Sequence, residues 1–143
     1  MAQLNLNNIN EISIGSGMTY PITLSQGENG VGWYPVTGDT KLIENNLETI
    51  LNYQIGEKLR EEFFGTRLWE CLEEPNSQAQ SFLINQFLRR AFASWESRIY
   101  FNKSVITREG SKLKITFYYT VIATNSSMTG TLVYDNLNNS LEI

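Results

Sequence analysis

Near Arg98 the spacing of apolar residues changes from that of a helix to that of a strand, and this change restricts the fold more than any other feature. Upstream, Phe82, Leu83, Ile84, Phe87, Leu88, Ala91, Phe92 and Trp95 recur at helical spacing. Downstream, Leu113, Ile115, Phe117, Tyr119, Val121 and Ala123 alternate with Lys112, Lys114, Thr116, Tyr118, Thr120 and Ile122, as in a strand buried on one face. Neither pattern keeps an apolar face in the other conformation. The chain is therefore expected to be α+β, with about three helices followed by an antiparallel meander of three to four strands.

Residues 1–38 read as an N-terminal arm. A short strand is predicted around Ile12 and Ile14, followed by a run that includes Gly27, Gly30, Gly32, Pro35 and Gly38. Within it, Trp33 and Tyr34 can lay two rings on an apolar surface, of this domain or of a neighbour. Residues 39–143 are expected to form a single domain, since 41% hydrophobic content over a chain of 143 residues supports one modest core.

Asp39 or Thr40 caps the first predicted helix, in which Leu42, Ile43, Leu47, Ile50 and Leu51 form the apolar stripe before Gly56 ends it. Lys41, Glu44, Asn45 and Glu48 are assigned to its other face. A shorter helix is expected from Thr66 through Leu68, Trp69 and Leu72, stopping before Pro75. Ser77-Gln78-Ala79-Gln80 has the form of a capping box and opens the longest helix, about residues 78–95. Its apolar residues exceed a one-sided stripe, which implies either burial on several sides or a surface that assembly covers.

Ile99 to Thr107 is the first predicted strand, Arg108 to Ser111 its turn, and Met128 to Tyr134 the third strand; the tail from Asp135 to Ile143 can add one more at the edge. A sheet this small keeps exposed edges, which invite a partner's strand unless the N-terminal arm folds back over them. Leu132 and Tyr134, on the third strand, are candidate partner contacts.

Composition closes off much chemistry. A net charge of −4 with only 11 Lys and Arg argues against nucleic acid as a ligand. Without histidine, the Ser-His-Asp and Cys-His arrangements and most zinc sites are excluded, and the single cysteine, Cys71, reads as a small buried hydrophobe. No cofactor is expected. Met1 to Gly17 lacks the pattern of a signal peptide, and no run approaches the roughly 20 apolar residues of a membrane span. A soluble protein made in a cytoplasm is expected.

Two polar motifs stand at the ends of helical stretches. One runs from Gly56, Glu57 and Lys58 to Phe64 and Gly65; its glycines read most simply as a C-cap and a turn, with Glu57 bracing the turn after it. The other is Glu96-Ser97-Arg98. In extended chain, positions i and i+2 project to one side, so this acid and base can pair with each other or take a partner's charges. The plainer alternative is an exposed pair worth at most about 1 kcal/mol.

The order and spacing of Gly32-Trp33-Tyr34-Pro35, Gly56-Glu57-Lys58, Phe64-Gly65 and Glu96-Ser97-Arg98 resemble those of the baseplate wedge and sheath-initiator family of contractile phage tails, which also supplies a baseplate subunit of type VI secretion systems. The resemblance covers roughly residues 30 to 135. Three departures stand out: Lys58 where that family has arginine, Glu62 where it has proline, and Ser97 where it has the central proline of Glu-Pro-Arg. The first loses a planar fork for carboxylates, the others a fixed φ.

The resemblance implies a structural protein of a virion tail baseplate, assembled in the host cytoplasm, that joins the wedge core and templates the first sheath ring by accepting a strand. Its implied partners are the tail sheath protein, baseplate wedge proteins and the central hub or tube, in about six copies per baseplate. Glu96, Ser97 and Arg98 are the implied contact to the wedge core, with Trp33 and Tyr34 as further candidates. Two alternatives compete. A lysozyme-like hydrolase needs two carboxylates about 5 to 9.5 Å apart across a cleft; Glu57, Glu61, Glu62, Glu73 and Glu74 are candidates, the last four in adjacent pairs, at predicted turns and helix ends where solvated glutamates usually sit. A non-enzymatic adaptor of another assembly would use the broad apolar helix as its docking face.

Overall fold

A computed structural model describes residues 14–18, 25–26, 32–33, 36–72, 77–135 and 140–142. Ile12, Tyr34, Glu73, Glu74 and Pro75 lie outside the described residues. In the N-terminal part, β1 (Ser16–Met18) pairs antiparallel with β4 (Val36–Gly38), and β2 (Ser25–Gln26) with β3 (Gly32–Trp33). The expected strand around Ile12 and Ile14 thus begins later, at Ser16. A Cβ on Gly17 would stand 2.9 Å from Leu42 Cδ1, so β1 lies close against the first helix.

Helix α1 (Asp39–Asn52) buries all five residues of its predicted stripe, Leu42, Ile43, Leu47, Ile50 and Leu51. Asn45 corrects its assignment to the solvent face: it is 3% exposed, and its Nδ2 has no hydrogen-bond partner among the described residues. The helix also stops at Asn52, before Gly56. At that point Thr66 N–H donates to Tyr53 O and Ile55 N–H to Thr66 O, so backbone pairing with the far end of a loop replaces another helical turn.

Helix α2 (Trp69–Leu72) is a single turn that starts after Thr66. Thr66 Oγ1 accepts from Leu68 N–H at 2.7 Å, which turns the chain into it. Ser77 caps α3 (Gln78–Trp95), accepting from Gln80 N–H at 3.1 Å. Only that half of the capping box forms in the expected way. Gln80, fully buried, instead uses its Nε2 to reach Cys71 O at 2.7 Å and so binds α2 to α3. Cys71 is buried, as a small hydrophobe would be.

The sheet is a four-stranded antiparallel meander of β5 (Ile99–Glu109), β6 (Lys112–Val121), β7 (Ser126–Asp135) and β8 (Ser140–Glu142). Alternation on β6 buries Leu113, Ile115, Phe117, Tyr119 and Val121, then ends; Ile122 and Ala123 turn outwards in the loop that Asn125 closes with φ 51°. Opposite Phe117 stands Gly130, where any Cβ would collide with the Phe117 ring. Ile43, Leu47, Ile50 and Leu51 of α1 and Ile84, Leu88, Ala91 and Phe92 of α3 share one core with the inner face of this sheet. Two layers result, helices on one face of an antiparallel sheet. α3 buries one side only: Phe82 is 62% exposed, and Trp95 stands at the surface. No helix of the described residues is long and apolar enough to cross a membrane.

Candidate functional site

The chain leaves α3 through Glu96, which has φ −134°, ψ 84° and donates its N–H back to Phe92 O at 2.8 Å. That corner points the Glu96 carboxylate inward, leaving it 3% exposed, and Arg98 meets it with a two-point grip. Arg98 Nε donates to Oε1 and Nη2 to Oε2, both at 2.6 Å, while the Arg98 N–H adds a longer bond of 3.3 Å to Oε1. Asn46 Nδ2, from α1, donates to Oε2 at 3.0 Å. Of the two options open to this pair, the chain takes the internal one. Burial by itself would raise the Glu96 pKa, but the bonds from Arg98 and Asn46 outweigh it and hold the carboxyl below its ordinary value. Arg98 is raised, first by the same bond.

The corner also reaches the N-terminal segment, because Arg98 Nη1 donates to Ile14 O at 3.4 Å. One ion pair therefore joins α1, the end of α3, the start of β5 and the chain before β1. Ser97 is exposed in the turn between them.

The second motif forms a braced loop. Gly56, with φ +97° and open space around it, is a turn glycine and not the expected helix cap; its N–H donates to Glu62 O at 2.8 Å. Gly65 is needed twice over, since φ is +106° and a Cβ would run into the Tyr53 carbonyl. Glu57 Oε2 accepts from Gln54 N–H at 2.7 Å. Lys58 binds Glu61 at 2.9 Å and sits 4.3 Å from the Phe64 ring centre, and Phe64 packs edge-on against Tyr53 and Trp95. Phe64 is thus the inner anchor of the loop, whereas Phe63 next to it faces outwards.

Leu132 and Tyr134, offered from sequence as contacts, are 0% and 2% exposed and fill the core, so neither side chain faces a partner. Trp33 takes part in β3 through its backbone. Sequence reasoning missed Asn46 and Asn85. Asn85 Oδ1 accepts both the N–H and the hydroxyl of Ser104, at 3.0 and 2.9 Å, and so occupies part of the β5 edge. Both lie on helices about fifty and twenty residues from their partners in sequence, and no local pattern links them.

Among the described residues, the glutamates weighed for hydrolysis do not come together as an acid and base. Glu57 and Glu61 are spent on their own loop, Glu62 is exposed, and Glu73 and Glu74 lie outside the described residues. The one deeply buried carboxyl among the described residues, Glu96, has its pKa lowered, the opposite of what a general acid needs. Tyr119 is pushed up to about 12, by burial and then by Glu44, which also leaves it far from neutrality.

Similarity to known proteins agrees with this architecture. Among solved structures, a Geobacter sulfurreducens tail protein that carries a lysozyme name superposes with a TM-score of 0.59 at 23% identity, over 65% of this chain and 86% of that one. A chain of the anti-feeding prophage baseplate, solved by cryo-EM and 6-fold symmetrised, does so with a TM-score of 0.61 at 15% identity, over 85% of this chain and 86% of that one. At such identities these likenesses establish the fold alone. No curated protein matches the sequence. The family described as baseplate wedge protein gp25 matches residues 38–126, a span from the last N-terminal strand through the braced loop and the Glu96–Arg98 corner to the start of β7. Since that match takes in more than half of the chain, the protein belongs to the baseplate wedge protein gp25 family.

Proposed function

We propose that this protein is a non-enzymatic building block of a contractile-tail baseplate in a virion, which starts the sheath by accepting a strand at the edge of β7. The observation that carries this reading is the uneven state of the two sheet edges. On β5, Asn85 occupies the Ser104 amide, and the register shifts between Phe101 and Lys103. On β7, β8 pairs with Val133, Tyr134 and Asp135 only, so among the described residues Ser126 to Leu132 has no outer partner. A length of seven residues is enough for a strand to add.

The Glu96–Arg98 pair then holds the helical half at a set angle to that edge, and Ser97, exposed between them, is the point at which a wedge protein meets the corner. The proposed partners are the tail sheath protein, wedge proteins and the hub or tube. A copy number of about six accords with the 6-fold symmetrised baseplate that contains a similar chain. Within the N-terminal arm, residues 1–38, Trp33 and Tyr34 are the proposed contacts in this scheme.

Hydrogen exchange of the free chain and of the chain in sheath-bearing baseplates tests the strand addition. Amides within 126–132 should be slowed about a hundredfold or more by assembly. Protection gained along 99–109 instead, or none along β7, would refute it. Deleting residues 128–143 is the poorer test, because it also removes the buried Leu132 and Tyr134.

A further inference from the structure

The braced loop leaves three apolar side chains, Ile55, Leu59 and Phe63, at 41%, 102% and 75% exposure. A mobile loop could hide such groups by collapsing, but this one is held at both ends by backbone pairing and across its middle by Phe64. Trp95 Nε1 ties it to α3 by donating to Phe63 O at 3.3 Å. Between loop and helix lies a groove of about 420 Å³, with Phe63 and Trp95 at its lip and Phe87 and Ala91 along the α3 side. That volume takes one or two side chains.

The charge of the groove runs against the charge of the protein. Among the described residues, Arg67 and Arg90 line it and no acidic residue does, in a chain of net charge −4. Arg67 is matched by Glu70, at 2.7 Å and 2.9 Å. Arg90 is exposed and has no ion-pair partner among the described residues. We infer that the groove docks a short acidic segment of another protein, seating an aromatic or branched aliphatic side chain between Phe63 and Trp95 and placing a carboxylate on Arg90. The apolar contact supplies most of the binding, and the arginine selects the sign of the flanking charge. No strand edge takes part, so the strand addition proposed for β7 can fail while this docking stands.

The probe is a set of three labelled peptides of about twelve residues, read by fluorescence anisotropy against the full chain. The first carries glutamates flanking a Leu-Phe pair, the second has lysine for each glutamate, and the third has alanine for Leu and Phe. The first should bind with Kd on the order of 100 μM, about fivefold or more tighter than either of the others. Arg90→Glu, an exposed change whose fold circular dichroism can check, should invert the preference between the first two. Equal binding of all three, no binding of the first, or a preference unchanged by Arg90→Glu would overturn the proposal. So would a self-associating chain that Phe63→Ser converts to monomer, because the occupant would then be a second copy.

Discussion

Removing Arg98 should do more harm than neutralising Glu96, and the harm should depend on pH in the opposite sense to that of the parent. The side chains are 27% and 3% exposed, so the cation has water within reach and the carboxylate has almost none. Arg98→Ala strands a buried charge, a loss of roughly 3–5 kcal/mol in comparable sites. Glu96→Gln leaves an arginine that can turn to solvent, and should cost about 1–3 kcal/mol.

In the parent, the folded-state pKa of Glu96 is depressed. Its contribution is present above the unfolded value and is lost as pH falls through the folded one, so stability should decline on acidification below about pH 4.5. Without Arg98, burial becomes the dominant influence on Glu96, and the folded pKa should rise above the unfolded one. A raised pKa reverses the linkage: the deficit of Arg98→Ala is largest near neutrality and shrinks as pH falls and the carboxyl takes up a proton. Urea denaturation followed by tryptophan fluorescence, at about six pH values between 3 and 8, reads both effects. Equal costs for the two variants at every pH would show that the corner is a solvated pair and that Glu96 is not buried as a charge.

The loop and the sheet give two further tests. Gly65→Ala should destabilise by about 2–4 kcal/mol, through strained φ and collision with the Tyr53 carbonyl, whereas Gly56→Ala, with space around it, should cost only about 1 kcal/mol; equal losses in thermal denaturation would contradict this. Gly130→Ala should cost about 1–3 kcal/mol by pushing on the Phe117 ring, and Phe117→Leu in the same chain should recover part of that, so an additive double variant would count against the contact.

Much of this molecule is legible in local spacing. The helix-to-strand change near Arg98 foretells the α+β order, and the stripe on α1 and the alternation on β6 name most of the core, because periodicity records which face loses water. That Glu96 and Arg98 can pair is also foreseen from sequence, although through an extended chain where the structure makes a turn at Ser97 and Arg98. Which of the two options the pair takes is not: that depended on α1 bringing Asn46 to Glu96 and closing the corner to water.

Other choices were also made between distant parts of the chain. Asn45 went inside and α1 stopped at Asn52, because the far end of a loop offered Tyr53 and Ile55 their hydrogen bonds. Gln80 left its capping box for the Cys71 carbonyl, Asn85 took up one amide on the β5 edge, and β8 covered part of the other edge. The sequence by itself determined the succession of elements and the apolar face of each, since these are set by neighbours a few residues apart. Only the tertiary structure decided which polar groups lose water and which partner satisfies each of them, and from that which edge and which groove remain open.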